Sequence, residues 1–196
     1  MSLFNFFRRN KKDKAEPKEI PSPEQQQFAD TVVGIFTSFL SDNGFILTKT
    51  EVKQYSTTIT FSKASQYIRI SSSTYPTDYP YSYNIILGDG DSENFFEYDW
   101  NSITLWRLKR KIEQTEKAKE YSFPYGDKII YSLTHAKDEL IKYGDTFLKG
   151  DLTLFIETRK EQNQSRDPYR ISYVDENGNR QITYEEESTE KKKKYS

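Results

Sequence analysis

The chain has 196 residues, which is long enough for one domain with a hydrophobic core. Its net charge is −1 at pH 7, and the basic residues near the N-terminus leave residues 21–184 with more acidic than basic side chains. This balance argues against nucleic acid as a partner, and the absence of cysteine excludes a disulfide framework, a thiolate nucleophile and a cysteine metal site.

The first 22 residues are charged and rich in proline, and they predict a flexible basic segment. Their few apolar residues come before the cations, whereas a secretory signal has the reverse order, so we expect a cytoplasmic protein. A short apolar group followed by arginines is also a candidate for weak membrane contact, or for docking on the chain's own domain. The members of this group are Leu3, Phe4, Phe6 and Phe7.

A helix is predicted to begin at Pro23, with Ser22 as its N-cap. Apolar residues then recur on one helical face, and Asn43-Gly44 is typical of a helix end. The stripe consists of Phe28, Val32, Ile35, Phe36, Phe39 and Leu40.

Four short runs rich in threonine, isoleucine and aromatic residues follow. The connections between them are too short for crossover helices, so the runs predict an antiparallel meander. They cover residues 45–52, 56–61, 67–73 and 81–87.

The stretch from Trp100 to Lys119 has two interpretations. Asp99 or Asn101 is a candidate cap for a helix that carries Leu105, Leu108 and Ile112, and the alternative is a strand around residues 103–106. A second helix begins near residues 125–127, is broken at Gly144-Asp145, and is followed by a third that pairs with it as a helical hairpin.

Near the C-terminus, residues 169–174 and 181–184 flank a turn sequence and predict a β-hairpin. The charged residues 185–196 predict a disordered tail. The sequence therefore predicts an α+β domain over residues 23–184, in which an antiparallel sheet, a four-stranded meander plus a C-terminal β-hairpin, is covered on one face by about four helices.

Motifs that carry chemistry are few. His135 is the one histidine, and neither a second histidine nor a cysteine accompanies it as a metal ligand. The sequence Asp89-Gly-Asp-Ser-Glu suggests a calcium loop, but the sixth and twelfth positions of an EF-hand would be Asn94 and Trp100. No glycine-rich phosphate loop is present. We therefore predict no catalytic residue, no metal ligand and no cofactor.

The densest stretch of the chain, residues 75–106, combines aromatic and acidic residues, which are typical of protein interfaces. The alternative is that the rings fill the edge of the core. We expect the rings to provide contact area and the acids to attract a basic protein partner. The candidate rings are Tyr79, Tyr81, Tyr98 and Trp100, and the candidate acids are Asp78, Asp89, Asp91, Glu93 and Asp99.

Two other functions remain open. The clustered carboxylates suggest a hydrolase, with or without a divalent metal, which requires at least two of the acids to meet in a cleft. The apolar residues near the N-terminus suggest a weakly membrane-associated protein.

The opening Met1-Ser-Leu-Phe-Asn-Phe-Phe-Arg-Arg resembles the start of many small uncharacterised bacterial proteins. Several of those look like immunity proteins of polymorphic toxin systems, and a cysteine-free acidic α+β body is similar to them in style. The resemblance implies a non-enzymatic inhibitor that binds its target by surface complementarity.

Overall fold

The computed structural model describes residues 20–90 and 100–196. Its helices in this part of the chain are α1 (Pro23–Asp42), α2 (Leu105–Glu113), α3 (Lys128–Leu148), α4 (Thr153–Gln164) and α5 (Glu186–Tyr195). Its strands are β1 (Ile46–Val52), β2 (Ser56–Lys63), β3 (Gln66–Ser73), β4 (Ser82–Asp89), β5 (Ser102–Thr104), β6 (Tyr121–Ser122), β7 (Arg170–Val174) and β8 (Arg180–Tyr184). The predicted α+β class is confirmed.

Helix α1 begins and ends where the sequence predicts. The Ser22 hydroxyl accepts a hydrogen bond from the Gln25 backbone N–H at 3.2 Å, which satisfies one of the free donors of the first turn. At the other end Gly44 has a φ of +82°, a backbone conformation that glycine adopts without strain. The predicted apolar stripe faces inward, since Phe28, Phe36 and Leu40 are fully buried.

Strands β1 to β4 form the predicted antiparallel meander, in the spatial order β1-β2-β3-β4. The outer edge of β4 is shared by two short strands, because β6 pairs with the beginning of β4 and β5 pairs with its end. Residues near the beginning of β4 therefore lie on the side of β6, and residues near its end lie on the side of β5. This separation determines where the candidate site residues lie.

The two faces of the sheet differ in polarity. Ile59, Ile70 and Ile85 are register partners on neighbouring strands, and all three belong to the hydrophobic core with residues of α1 and α3. The side chains of Thr60 and Arg69, which are also register partners, point to the opposite face because successive strand residues alternate. The apolar face is the one that the helices cover, as predicted.

The two interpretations of residues 100–119 are both realised, one after the other. Residues Ser102–Thr104 form β5, and helix α2 starts directly after it at Leu105. The predicted caps Asp99 and Asn101 are wrong, because the residue at the cap position is Thr104. Of the predicted apolar stripe, Leu105 and Leu108 are buried, whereas Ile112 is 47% exposed.

The predicted helix break at Gly144-Asp145 is wrong, because α3 continues to Leu148. Gly144 is buried beside Leu140 and the α2 residue Leu105, where a larger side chain would have little room. Its function is close packing within a continuous helix. The chain turns later, at Gly150, which has a φ of +90°.

The C-terminal hairpin of β7 and β8 is confirmed, and it forms a two-stranded sheet of its own. The Asp175 carboxylate accepts hydrogen bonds from the backbone N–H groups of Asn177 and Asn179, which holds the turn. The side chains of both strands are largely exposed.

The predicted disordered tail over 185–196 is wrong for most of its length, because α5 occupies Glu186–Tyr195. Ser188 is buried, and its hydroxyl accepts hydrogen bonds from Trp100 Nε1 at 3.1 Å and from the Tyr169 backbone N–H at 2.9 Å. The Asn163 amide donates to the Tyr195 carbonyl at 3.0 Å. These tertiary contacts stabilise a helix that has no apolar stripe in its sequence. The predicted flexible segment lies, up to residue 19, outside the described residues.

Candidate interaction surface

Strand β4 separates the predicted partner-binding residues into two groups. Asp78, Tyr79 and Tyr81 precede the strand, whereas Asp89 ends it and Trp100 follows. The strand has 8 residues, and at about 3.4 Å per residue its ends lie roughly 25 Å apart. One small partner epitope does not span both groups. The remaining predicted residues, Asp91, Glu93, Tyr98 and Asp99, lie outside the described residues, as do Leu3, Phe4, Phe6 and Phe7.

Trp100 is 2% exposed and packs inside the fold. Besides the Nε1 hydrogen bond to Ser188, the Arg166 guanidinium lies 4.2 Å from its ring centroid. The Asn163 amide donates to its carbonyl at 2.8 Å. The expectation that Trp100 anchors a partner is therefore wrong, and the alternative that the ring fills the edge of the core holds for it.

Asp89 faces a cation of its own chain. The Arg159 guanidinium lies 3.7 Å from its carboxylate, and the same guanidinium stacks on the rings of Phe155 and Tyr195. Burial lowers the pKa of Arg159, and the charge of Asp89 opposes that change. The ion pair with Arg159 connects Asp89, at the end of β4, to α4, and the contact of Arg159 with Tyr195 extends this connection to α5.

The residues before β4 have the exposure that a partner contact requires. Tyr79 is 79% exposed, and its ring meets that of Tyr81 edge to face at 5.6 Å. The Asp78 carboxylate is exposed and accepts hydrogen bonds from the hydroxyls of Ser73 and Thr77. This part of the predicted site lies on the surface as one group.

Further tyrosines, which the sequence analysis did not select, extend this group. The Tyr55 and Tyr75 rings lie 5.2 Å apart. The Phe123 backbone N–H donates to the Tyr81 carbonyl at 2.9 Å, and the Tyr125 ring packs edge to face on Phe123. We define the tyrosine surface as Tyr55, Tyr75, Tyr79, Tyr81, Tyr125 and Tyr131.

Tyr125 and Tyr131 complete the tyrosine surface on the side of α3. The pKa of Tyr125 is raised by burial and, to a smaller extent, by the nearby Tyr81 and Glu24. Tyr131 is 80% exposed, because its position on α3 falls between the buried Ile129 and Leu133. In the sequence, Tyr131 is a large aromatic residue that does not fall on the apolar stripe of α3. This pattern would have identified it as an exposed ring.

A groove of about 570 Å³ opens between the segment after β6 and the first turns of α3. Its walls are mainly apolar and include one lysine, one histidine, two serines and two tyrosines, with no acidic residue among the described lining residues. The lining residues are Ser122, Phe123, Pro124, Tyr125, Lys128, Tyr131, Ser132 and His135.

Behind the groove, Glu139 is 12% exposed by its side chain and connects several polar groups. Its carboxylate accepts hydrogen bonds from Lys109 Nζ and, at 2.7 Å, from the Tyr121 hydroxyl, and it lies 3.6 Å from His135 Nε2. The hydrogen bond to Glu139 raises the pKa of Lys109, whereas burial and Glu139 together raise the pKa of Tyr121. The negative charge of Glu139 is thus largely compensated by the donors Lys109 and Tyr121 and has little effect in the groove.

Stability is expected to fall above pH 10 because of Tyr83, which lies next to Tyr121. Tyr83 is fully buried, its hydroxyl bonds to Ser132, and burial raises its pKa to about 12. An unfolded tyrosine has a pKa of about 10. The stabilisation that the protonated Tyr83 provides is therefore complete below pH 10 and is lost as the pH rises through 12, by about 3 kcal/mol.

Urea denaturation of the native chain and of Tyr83→Phe between pH 8 and 11.5 measures this loss. We expect a shallower decline in the variant above pH 10, because phenylalanine has no proton to release. Parallel declines of the two proteins would contradict the assignment.

The two candidate carboxylates that the structure describes, Asp78 and Asp89, do not meet in a cleft. Asp78 and Asp89 lie at opposite ends of β4, and within residues 20–90 and 100–196 no three side chains of metal-binding type come together. In the same part of the chain, no helix combines the length and the apolar character needed to cross a membrane.

Comparisons of the chain with protein-family models, with curated proteins and with solved structures found no match.

Proposed function

We propose that this protein is a non-enzymatic binding protein that contacts a protein partner through the tyrosine surface. The exposure of Tyr79 and Tyr131, 79% and 80%, is the observation that carries the proposal. Two large rings that are exposed to solvent do not contribute to the hydrophobic core. Tyrosine is, however, among the residues that contribute most to the binding energy of protein interfaces.

The rigidity of the tyrosine surface supports this proposal. The ring contacts between Tyr55 and Tyr75 and between Tyr79 and Tyr81 restrict these side chains before a partner arrives. Binding then costs less conformational entropy than it would with free rings.

Charge provides the second part of the proposal. Asp78 is exposed beside Tyr79 and attracts a basic patch of the partner. The partner is a protein, and an inhibitor of the immunity type is the form that the resemblance of the first nine residues suggests.

Truncation of the exposed rings is expected to weaken the complex without unfolding the protein. With a partner isolated from native lysate and then purified, we expect Tyr79→Ala and Tyr131→Ala each to raise the Kd about tenfold, which corresponds to about 1.4 kcal/mol. Isothermal titration calorimetry measures the affinities, and thermal melts verify that the variants are folded.

Tyr173→Ala is the matched control, because Tyr173 is 51% exposed but lies on the separate β7–β8 hairpin. An equal loss of affinity in all three variants, or in none, would refute the tyrosine surface as the contact. The association rate of the native chain should also fall with added salt, and less so for Asp78→Asn. A rate that is independent of ionic strength would exclude attraction by Asp78.

A further inference from the structure

The groove beside Tyr125 and Tyr131 has the features of an anchor site for one side chain of the partner. Its volume of about 570 Å³ lies within the range of about 300–1,000 Å³ that is typical of small-ligand sites. Phe123, Pro124 and Tyr125 form an apolar wall that belongs to the chain segment after β6. Tyr131, on α3, adds an exposed ring to the lining.

The walls of the groove are rigid because each is attached to the core. The Phe123 ring lies 5.2 Å from that of Phe28, and the Phe123 backbone is hydrogen-bonded to Tyr81. On the other side, Ser132 is bonded to the buried Tyr83 hydroxyl. A site that is formed before its ligand arrives requires little ordering on binding.

The charges at the groove favour a negative group. Lys128 and His135 line it, and both are exposed. Glu139, which lies 3.6 Å from His135 Nε2, already accepts hydrogen bonds from Lys109 and Tyr121. Among the described lining residues no carboxylate competes for Lys128, so its ammonium group is available to a carboxylate of the ligand.

These observations together define one type of occupant. We infer that the groove binds an aromatic side chain that stands next to a carboxylate, as in a Phe-Asp sequence of the partner. The ring contacts Tyr125 and Tyr131, and the carboxylate meets Lys128. The inference rests on the proposed function and specifies the partner's chemistry: a carboxylate at the groove end of the tyrosine surface and a cation at the Asp78 end.

A capped dipeptide tests the groove without the partner. His135 is the single histidine of the chain, so its ring proton gives one isolated NMR signal at the groove. At fixed pH, titration with N-acetyl-Phe-Asp-amide is expected to shift this signal and to reach saturation. N-acetyl-Phe-Asn-amide should bind about fivefold more weakly, the order of effect that the loss of a partly exposed ion pair produces, and N-acetyl-Ala-Asp-amide should produce no saturable shift.

Two variants and one control assign the effect to the groove. Lys128→Glu should reverse the preference for Asp over Asn in the dipeptide, and Tyr131→Ala should weaken both Phe-containing peptides. Lys160→Glu, on the exposed side of α4, makes the same charge change elsewhere and should leave the titration unchanged. Far-ultraviolet circular dichroism confirms that each variant is folded.

The result separates this inference from the proposed function. If neither Phe-containing peptide shifts the His135 signal, or if both bind equally well, the occupant is wrong even when Tyr79→Ala weakens the complex with the partner. If the peptides bind as expected but the tyrosine variants bind the partner normally, the groove is a ligand site and the proposed partner surface is wrong.

Discussion

Replacement of Trp100 by alanine is expected to lower the free energy of unfolding by about 3–5 kcal/mol. The ring is 2% exposed, so its removal leaves a cavity that the surroundings fill only in part. The change also removes the donor to Ser188 and the ring on which Arg166 stacks. Since Ser188 belongs to α5 and Arg166 follows α4, we expect the loss to loosen the C-terminal part of the fold. Urea denaturation measures the change.

Tyr131→Ala is the control for Trp100→Ala, because it removes an exposed ring and should change the free energy of unfolding by less than about 0.5 kcal/mol. The pair of variants also tests the two roles of aromatic residues in this protein. Should Trp100→Ala leave the stability unchanged and abolish partner binding, Trp100 would be a contact residue and its buried position in this structure would be wrong.

Replacement of Gly88 by alanine is expected to destabilise the protein by about 3 kcal/mol, at the upper end of what overpacking costs. A Cβ at this position would lie 2.0 Å from Cζ of Tyr67, its register partner on β3. The Tyr67 ring is buried and its hydroxyl donates to the Asn101 side chain at 3.3 Å, so it has little freedom to move away. The cost is steric, and thermal denaturation measures it.

Two further variants separate this clash from the general effect of replacing a glycine. Gly34→Ala adds a Cβ with no atom within 4 Å, on the exposed side of α1, and should stabilise the protein by about 0.5–1 kcal/mol. The double variant Tyr67→Leu, Gly88→Ala should be more stable than the sum of the single changes implies, since the leucine has no ring at that place. Additive changes would contradict the clash.

The Trp100 and Tyr131 variants bear on function because they test where the contact surface lies. The sequence predicts one contact surface in the acidic aromatic segment, but the rings of this segment have opposite environments. Tyr79 is exposed before β4, and Trp100 is buried after it. The tyrosine surface takes its remaining members from the β1–β2 turn, from the segment after β6 and from α3.

The elements themselves were determined by local patterns of the sequence. An apolar residue on every helical turn and the Ser22 cap are sufficient for α1, since both act within a few residues. The short polar connections leave β1 to β4 no alternative to antiparallel pairing. The turn around Asp175 likewise determines the β7–β8 hairpin.

Only the tertiary structure decided which residues of distant elements meet. Helix α5 has no apolar stripe, and its position depends on the buried Ser188 and on Asn163 of α4. Gly144 favours a helix end by local propensity, but it lies inside a continuous helix, where a Cβ would come within 2.8 Å of the Leu140 side chain and would also contact Leu105 of α2. Tyr125 and Tyr131 join Tyr79 because β6 pairs with the beginning of β4. Long-range pairing of this kind leaves no periodic mark in the sequence, since the residues concerned are far apart along the chain.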